Sequence, residues 1–147
     1  MPVYGSNGQI GWHNEALVKG PGIVIGRKGN PGTISWAQTD FFPIDTTFYV
    51  IPKGNPNCKH YLFHTLSSLN LSGLASDSAV PGLNRKIAYR AGVLVAPENV
   101  LNVFESIAKV LSLKTCLNNK QAKLLGSIVN ILLPRLMTGK IRVPICE

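Results

Sequence analysis

The chain has 147 residues, 45% of them hydrophobic, and a formal net charge of +8. That length holds one domain, or one domain with an appendage, and that charge favours a polyanionic partner, either nucleic acid or an acidic membrane. No apolar run approaches the roughly 20 residues of a membrane span, and residues 1–5 have neither a charged n-region nor an apolar h-region, so neither a span nor a signal peptide is expected. Cys58, Cys116 and Cys146 are far apart and odd in number, which fits a reducing cytoplasm and no disulfide framework. The charge is spread along the chain: residues 1–97 hold 8 basic and 4 acidic side chains, and residues 98–147 hold 7 and 3. A folded basic surface, not a basic tail, is therefore expected.

Residues 1 to about 55 read as β. Ala16-Leu17-Val18, Ile23-Val24-Ile25 and Thr47-Phe48-Tyr49-Val50-Ile51 are short apolar runs separated by Gly, Asn and Pro turns. Lys53-Gly54-Asn55-Pro56-Asn57 is a loop, and His60 to Leu71 has Leu62, Phe63, Leu66 and Leu69 at helical spacing. Residues 73–84 are rich in Ser, Gly, Pro and Asp and read as a loop; Val93-Leu94-Val95 reads as a last strand. From Pro97 to Leu133 the only glycine or proline inside is Gly126, and Pro97 and Glu98 suit the start of a helix. Val100, Phe104, Ile107, Leu111, Leu117, Leu124, Ile128 and Leu132 recur with a seven-residue rhythm, interrupted by Lys114 and Gln121. Such a helix is about 54 Å long at 1.5 Å per residue, too long to bury its stripe on so small a domain. Packing on a second chain is the favoured reading; folding back on its own domain is the alternative. Pro134 should kink or end the helix, and Gly139 should stop whatever continues.

The stretch GPGIVIGRKGNPGTISW, residues 20–36, sets glycines around Arg27 and Lys28, as phosphate sites often do. A Walker loop is excluded because Lys28 is followed by Gly29, not Ser or Thr. A dinucleotide fingerprint is excluded because Gly20-Pro21-Gly22 runs into a β-branched strand, not a helix. Ile23-Val24-Ile25 and Thr33-Ile34-Ser35-Trp36 instead frame a glycine-rich hairpin with Arg27 and Lys28 at its tip. Those two charges either are simply solvated or meet a nucleic-acid backbone.

Catalytic chemistry is not expected. His60 and His64 share a helix face, as metal ligands often do, but no H-E-x-x-H and no Cys or carboxylate at finger spacing accompanies them. A structural or surface role is favoured for both. Asp40, Asp45 and Asp77 could serve His13 only through the fold, and Asp77-Ser78 lacks the G-x-S-x-G of a nucleophile elbow. No N/D-P-P-Y/F signature and no cofactor loop is present, so no cofactor is expected.

Five segments, PVYGSNGQIGWHN (2–14), LVKGPGIVIGRKGNPGTI (17–34), FFPIDTTFYV (41–50), SAVPGLNR (78–85) and LLPRLMTGKIRV (132–143), carry a resemblance over nearly the whole chain. The chain resembles the carboxyl-terminal half of the specificity (S) subunit of type I restriction-modification systems. The resemblance implies an α+β fold: a mixed α/β target-recognition globule followed by a long C-terminal coiled-coil helix. It implies a recognition domain at 1–96, incomplete at its amino end because a family half has more chain before PVYG, a spacer and dimerisation helix at 97–136, and a tail at 137–147. It further implies a non-catalytic subunit that reads half of a split double-stranded DNA target, docks methyltransferase subunits and, through them, a translocase, and works in the cytoplasm.

On that reading Arg27 and Lys28 serve DNA, since Arg takes guanine bidentately and Lys neutralises phosphate. Asn7, His13, Asn14 and Asn30 are candidate base readers, because Asn can bind adenine bidentately. Lys19, Lys53, Lys59, Arg85, Lys86 and Arg90 are candidate DNA contacts of the phosphate-neutralising type. The glycines and Thr46-Thr47 look fold-determining. The eight residues of the heptad stripe would mediate homodimerisation, with Lys114 and Gln121 helping to set register. Two other readings stand beside this one: a truncated S-subunit fragment that dimerises or competes for methyltransferase without reading DNA, and a small enzyme using His13 and an aspartate.

Overall fold

A computed structural model describes residues 1–53, 57–75 and 81–142. Gly54, Asn55 and Pro56 of the expected loop, Asp77 and Ser78, and Cys146 lie outside these residues. The fold is α+β. Six strands come first: β1 (Pro2–Gly5), β2 (Gly8–Trp12), β3 (Gly22–Gly26), β4 (Ile34–Ala37), β5 (Phe42–Pro43) and β6 (Thr47–Tyr49). Helix α1 (Lys59–Ser68), a 3-10 turn (Ser72–Leu74), the short α2 (Arg85–Ala88) and the long α3 (Glu98–Met137) follow. Packing divides the chain into two compact units, Met1–Lys109 and Val110–Glu147.

In the first unit the strands form two three-stranded sheets, ordered β2-β1-β5 and β4-β3-β6. β3 is central and antiparallel to both neighbours, with Ile25 opposite Ile34 and Phe48. Its period-2 pattern divides the core. Val24 packs with Tyr4, Ala37 and Phe41, while Ile23 and Ile25 pack with Leu71 and Leu83 beneath α1 and α2. Because β3 is apolar on both faces, it is buried along its whole length. Each such Ile or Val contributes about 1.5–3 kcal/mol by leaving water.

The expected hairpin forms, with Gly22, Ile23, Val24 and Ile25 paired to Ala37, Trp36, Ser35 and Ile34. Two glycines make its connection possible. A side chain at Gly26 would strike the carbonyl of Asn30, and Gly32 adopts φ +81° with its α-carbon against the backbone of Ser72.

Three expectations need correction. Ala16-Leu17-Val18 is not a strand: Leu17 and Val18 both donate to the Phe41 carbonyl, and only Val18 makes a bridge. Val93-Leu94-Val95 is not a strand either. The Leu94 carbonyl is taken by the Tyr61 hydroxyl at 2.8 Å, so this run is tethered to a side chain and not to a sheet edge. α1 ends at Ser68 instead of Leu71, because Leu69 is already extended.

The long helix spans 40 residues, about 60 Å. It passes through Pro134 to Met137. The proline removes one main-chain donor close to the end of the helix, and Thr138 continues the turn by donating to the Pro134 carbonyl from both its N–H and its hydroxyl. Gly139, at φ +70°, then stops the helix as expected; its N–H bonds Leu136 and the Ile141 N–H bonds Arg135.

Candidate nucleic-acid interface

The tip of the β3–β4 hairpin is held by main-chain bonds to two distant segments. The N–H groups of Arg27 and Lys28 donate to the Thr46 carbonyl at 2.8 and 3.2 Å. On the other side Gly29 donates to Pro81 at 3.2 Å, and Leu83 donates to the Arg27 carbonyl at 2.8 Å. Thr47 is buried, and its hydroxyl donates to Ile44 at 2.8 Å. The Thr46 carbonyl thus anchors the tip.

These bonds gather four cations. Lys28 bridges Gly82, two residues before the Asn84 that caps α2 by accepting from the Lys86 N–H at 2.9 Å. Arg85 and Lys86 follow on that first turn. The guanidinium carbons of Arg27 and Arg85 lie 5.4 and 5.2 Å from the centre of one ring, Phe48. Phe48 in turn packs on the apolar cluster around Ile23, Ile25, Leu71 and Leu83. Arg27, Phe48, Leu83, Asn84, Arg85 and Lys86 line an open cleft of ≈ 470 Å³. Among the described residues, none of these four cations forms a salt bridge with a carboxylate. The cleft suits an anion or an acceptor-rich edge.

Phe48 is the member that sequence reasoning missed. It was legible only as part of an apolar strand, because its arginine neighbours come from positions 27 and 85.

The remaining candidates fall in other places. Asn7 is exposed in the β1–β2 turn, beside the hairpin: Ser6 approaches both Gly26 and Gly29. Asn30 is exposed in the hairpin itself. His13 and Asn14 lie at the opposite end of β2, about 17 Å away along a five-residue strand. There His13 accepts the Glu15 N–H at 3.1 Å and its ring rests 4.8 Å from that of Phe42. Lys19 is exposed beside the bridge of Val18 with Phe41. The Lys59 ammonium donates to the Pro21 carbonyl at 2.8 Å, and Lys53 and Arg90 are exposed. Arg27, Arg85 and Lys86 therefore line one cleft, with Lys28, Asn7 and Asn30 on adjoining segments, while His13, Asn14, Lys19 and Lys59 lie elsewhere.

The two helical histidines have structural partners. His60 Nδ1 donates to Glu105 at 2.8 Å, and its ring packs 4.4 Å from that of Trp36. His64 meets Phe63 and Phe104 edge-on. Among the described residues no three His, Cys, Asp or Glu side chains are placed to hold a metal. Burial pushes the Cys58 thiol up from its ordinary range, and the Glu105 charge adds to the effect.

Within 98–109, α3 buries Leu101 and Ala108, with Phe104 half-buried against Tyr61. Val103 and Ile107, on the opposite side of this stretch, are exposed. Of the heptad stripe, Val100, Ile107, Leu111, Leu117, Leu124, Ile128 and Leu132 are exposed; Leu117 and Leu124 keep 55% and 63% of their surface. Among the described residues no helix is long and apolar enough to cross a membrane.

No protein-family model matches the chain, and no curated sequence does. Its structure is similar to a type I restriction-modification system S subunit from M. genitalium, with a TM-score of 0.59 and 15% identity. The match covers 88% of this chain and 34% of the S subunit, so the chain spans about a third of that protein. At such identity the likeness is one of architecture, and the chain has an S-subunit-like fold.

Proposed function

We propose that this chain is a non-catalytic DNA-recognition module of the type I specificity class, reading half of a split target and dimerising through α3. The observation that carries the reading is the convergence of Arg27, Arg85 and Lys86 on one open cleft, with Lys28 on the adjoining hairpin tip and no salt bridge to any of the four among the described residues. The S-subunit-like fold supports it, as does the net charge of +8. Duplex DNA is the partner. Methyltransferase subunits, and a translocase through them, are the protein partners that this class of role requires. The exposed apolar stripe of α3 supports a second copy as the helix's partner.

Duplex binding measured across a salt series tests the reading. Binding should weaken steeply with salt, and Arg27→Ala with Lys28→Ala should weaken it further and flatten the log–log slope. Salt-independent binding, or none, would overturn the DNA role. A dimer that binds no duplex would leave the alternative, a fragment that associates and competes for methyltransferase.

A further inference from the structure

We infer that Arg27 and Arg85 are the specificity-determining pair of the cleft, each presenting its guanidinium fork to a guanine edge in the major groove, while Lys28 and Lys86 hold phosphate. The inference rests on the DNA-recognition reading and divides the labour within it.

Phosphate neutralisation does not need a fixed side chain; a flexible ammonium on a long stem performs it. Base reading does need one, because O6 and N7 of guanine accept a planar fork in one orientation. Of the four cations, the two arginines are the ones whose side chains rest on an aromatic platform. Arg27 is bonded through its own main chain on both sides, its N–H to Thr46 and its carbonyl to Leu83. Its Nη1 also reaches the Asp45 carbonyl at 3.5 Å. Arg85 stands on the first residue of α2, whose start is fixed by the Asn84 cap. Both guanidinium groups lie over Phe48, and that ring is itself fixed because it packs on the buried cluster of Ile23, Ile25, Leu71 and Leu83.

A guanidinium resting on an aromatic face keeps its edge N–H donors for a ligand. Its rotamer freedom is already reduced before DNA arrives, so less ordering is needed on binding. Lys28 and Lys86 lack any such platform. All four side chains are exposed, but the structural bonds of the two lysines are made by the main chain alone.

The test is selection from a random duplex pool with the full chain and with Arg27→Lys, Arg85→Lys, Lys28→Ala, Lys86→Ala and Phe48→Leu. The wild-type motif should contain at least one G·C pair. Arg27→Lys and Arg85→Lys keep the charge and lose the fork. Each should reduce discrimination at a guanine position roughly 5- to 150-fold with the salt slope unchanged. Lys28→Ala and Lys86→Ala should weaken all sequences alike and lower the salt slope by about 1 each. Phe48→Leu, which keeps an apolar side chain on the core, should blur the same guanine positions as the two arginine variants.

A retained motif that survives both arginine-to-lysine changes would overturn the assignment and leave DNA reading intact. So would a motif without G·C pairs. Retention of no duplex by the wild-type chain would remove the DNA role and this assignment together. Should Phe48→Leu lose its circular-dichroism signature, the arginine variants alone decide.

Discussion

Glu105 caps a helix to which it does not belong. Its Oε1 accepts the main-chain N–H of Tyr61, in the first turn of α1, at 2.7 Å, and its Oε2 accepts from His60 Nδ1 at 2.8 Å. The residue in the N-cap position, Cys58, makes no side-chain cap bond, and the first turn of α1 carries no acidic residue. The orphan donor and the positive end of α1 are therefore served by a carboxylate from α3. The two side chains of the pair, His60 and Glu105, are only 11% and 14% exposed, so water does not replace the contact readily.

Glu105→Ala should accordingly cost about 2 kcal/mol, the loss of a charge-assisted bond together with an uncapped helix. Glu105→Gln keeps an acceptor for Tyr61 and should cost less. Urea unfolding checks both: the midpoint should fall in that order with an unchanged slope. Equal midpoints for wild type and Glu105→Ala would show that the cap does not hold α1.

The same carboxylate sits near Cys58, whose thiol is raised chiefly by burial and further by the Glu105 charge. A raised thiol is less ionised at neutral pH, and the thiolate is the form that alkylates. Cys58 should react with iodoacetamide more slowly than a model thiol at pH 7.5, with the gap narrowing as the pH rises. Glu105→Gln should speed the reaction. Mass spectrometry of the Cys58 peptide over time gives the rates, and a rate at or above that of the model thiol would contradict the shift.

Two glycines should respond oppositely to alanine. Gly32 has φ +81° and its α-carbon faces the backbone of Ser72. The left-handed conformation alone costs roughly 1–2 kcal/mol, and main chain cannot yield as a side-chain tip can. Gly32→Ala should destabilise by more than that. Gly126, within α3, has open space where a side chain would go, so Gly126→Ala should stabilise the helix by up to about 1 kcal/mol. Thermal melts followed by helix signal distinguish the two, and a stabilising Gly32→Ala would remove the strain account.

Association of the chain through α3 has its own check. Leu117→Lys combined with Leu124→Lys places two charges on exposed apolar positions and should convert a dimer to a monomer in multi-angle light scattering. The globule should keep its fold, because neither residue belongs to the buried core. A monomeric wild-type chain at micromolar concentration would defeat the dimer proposal outright.

Local chemistry explains which parts of this fold could be read beforehand. The β3–β4 hairpin was legible because β-branched triplets and glycines lie within a short span, and α3 because few breakers interrupt its periodicity. Pro134 did not end α3, because a proline removes one donor only, and near a helix end that loss is small. Val93-Leu94-Val95 has strand composition, but composition does not provide a pairing partner. The cap on α1 could not be seen, since Glu105 and Tyr61 are 44 positions apart. The cleft was half legible: its cations were named one by one, but Phe48, the ring on which two of them rest, needed the fold to bring positions 27, 48 and 85 together.

The hairpin tip has one more property. Every bond that ties it to Thr46, Pro81 and Leu83 is made by main-chain atoms. Side chains at positions 27 and 28 can therefore be exchanged without untying the loop. A scaffold of this kind separates the frame from the letters it displays: under the proposed DNA-recognition role, point changes at the tip would alter which duplex is chosen and leave the molecule standing. Under that role, a change of target choice would need no insertion and no new loop.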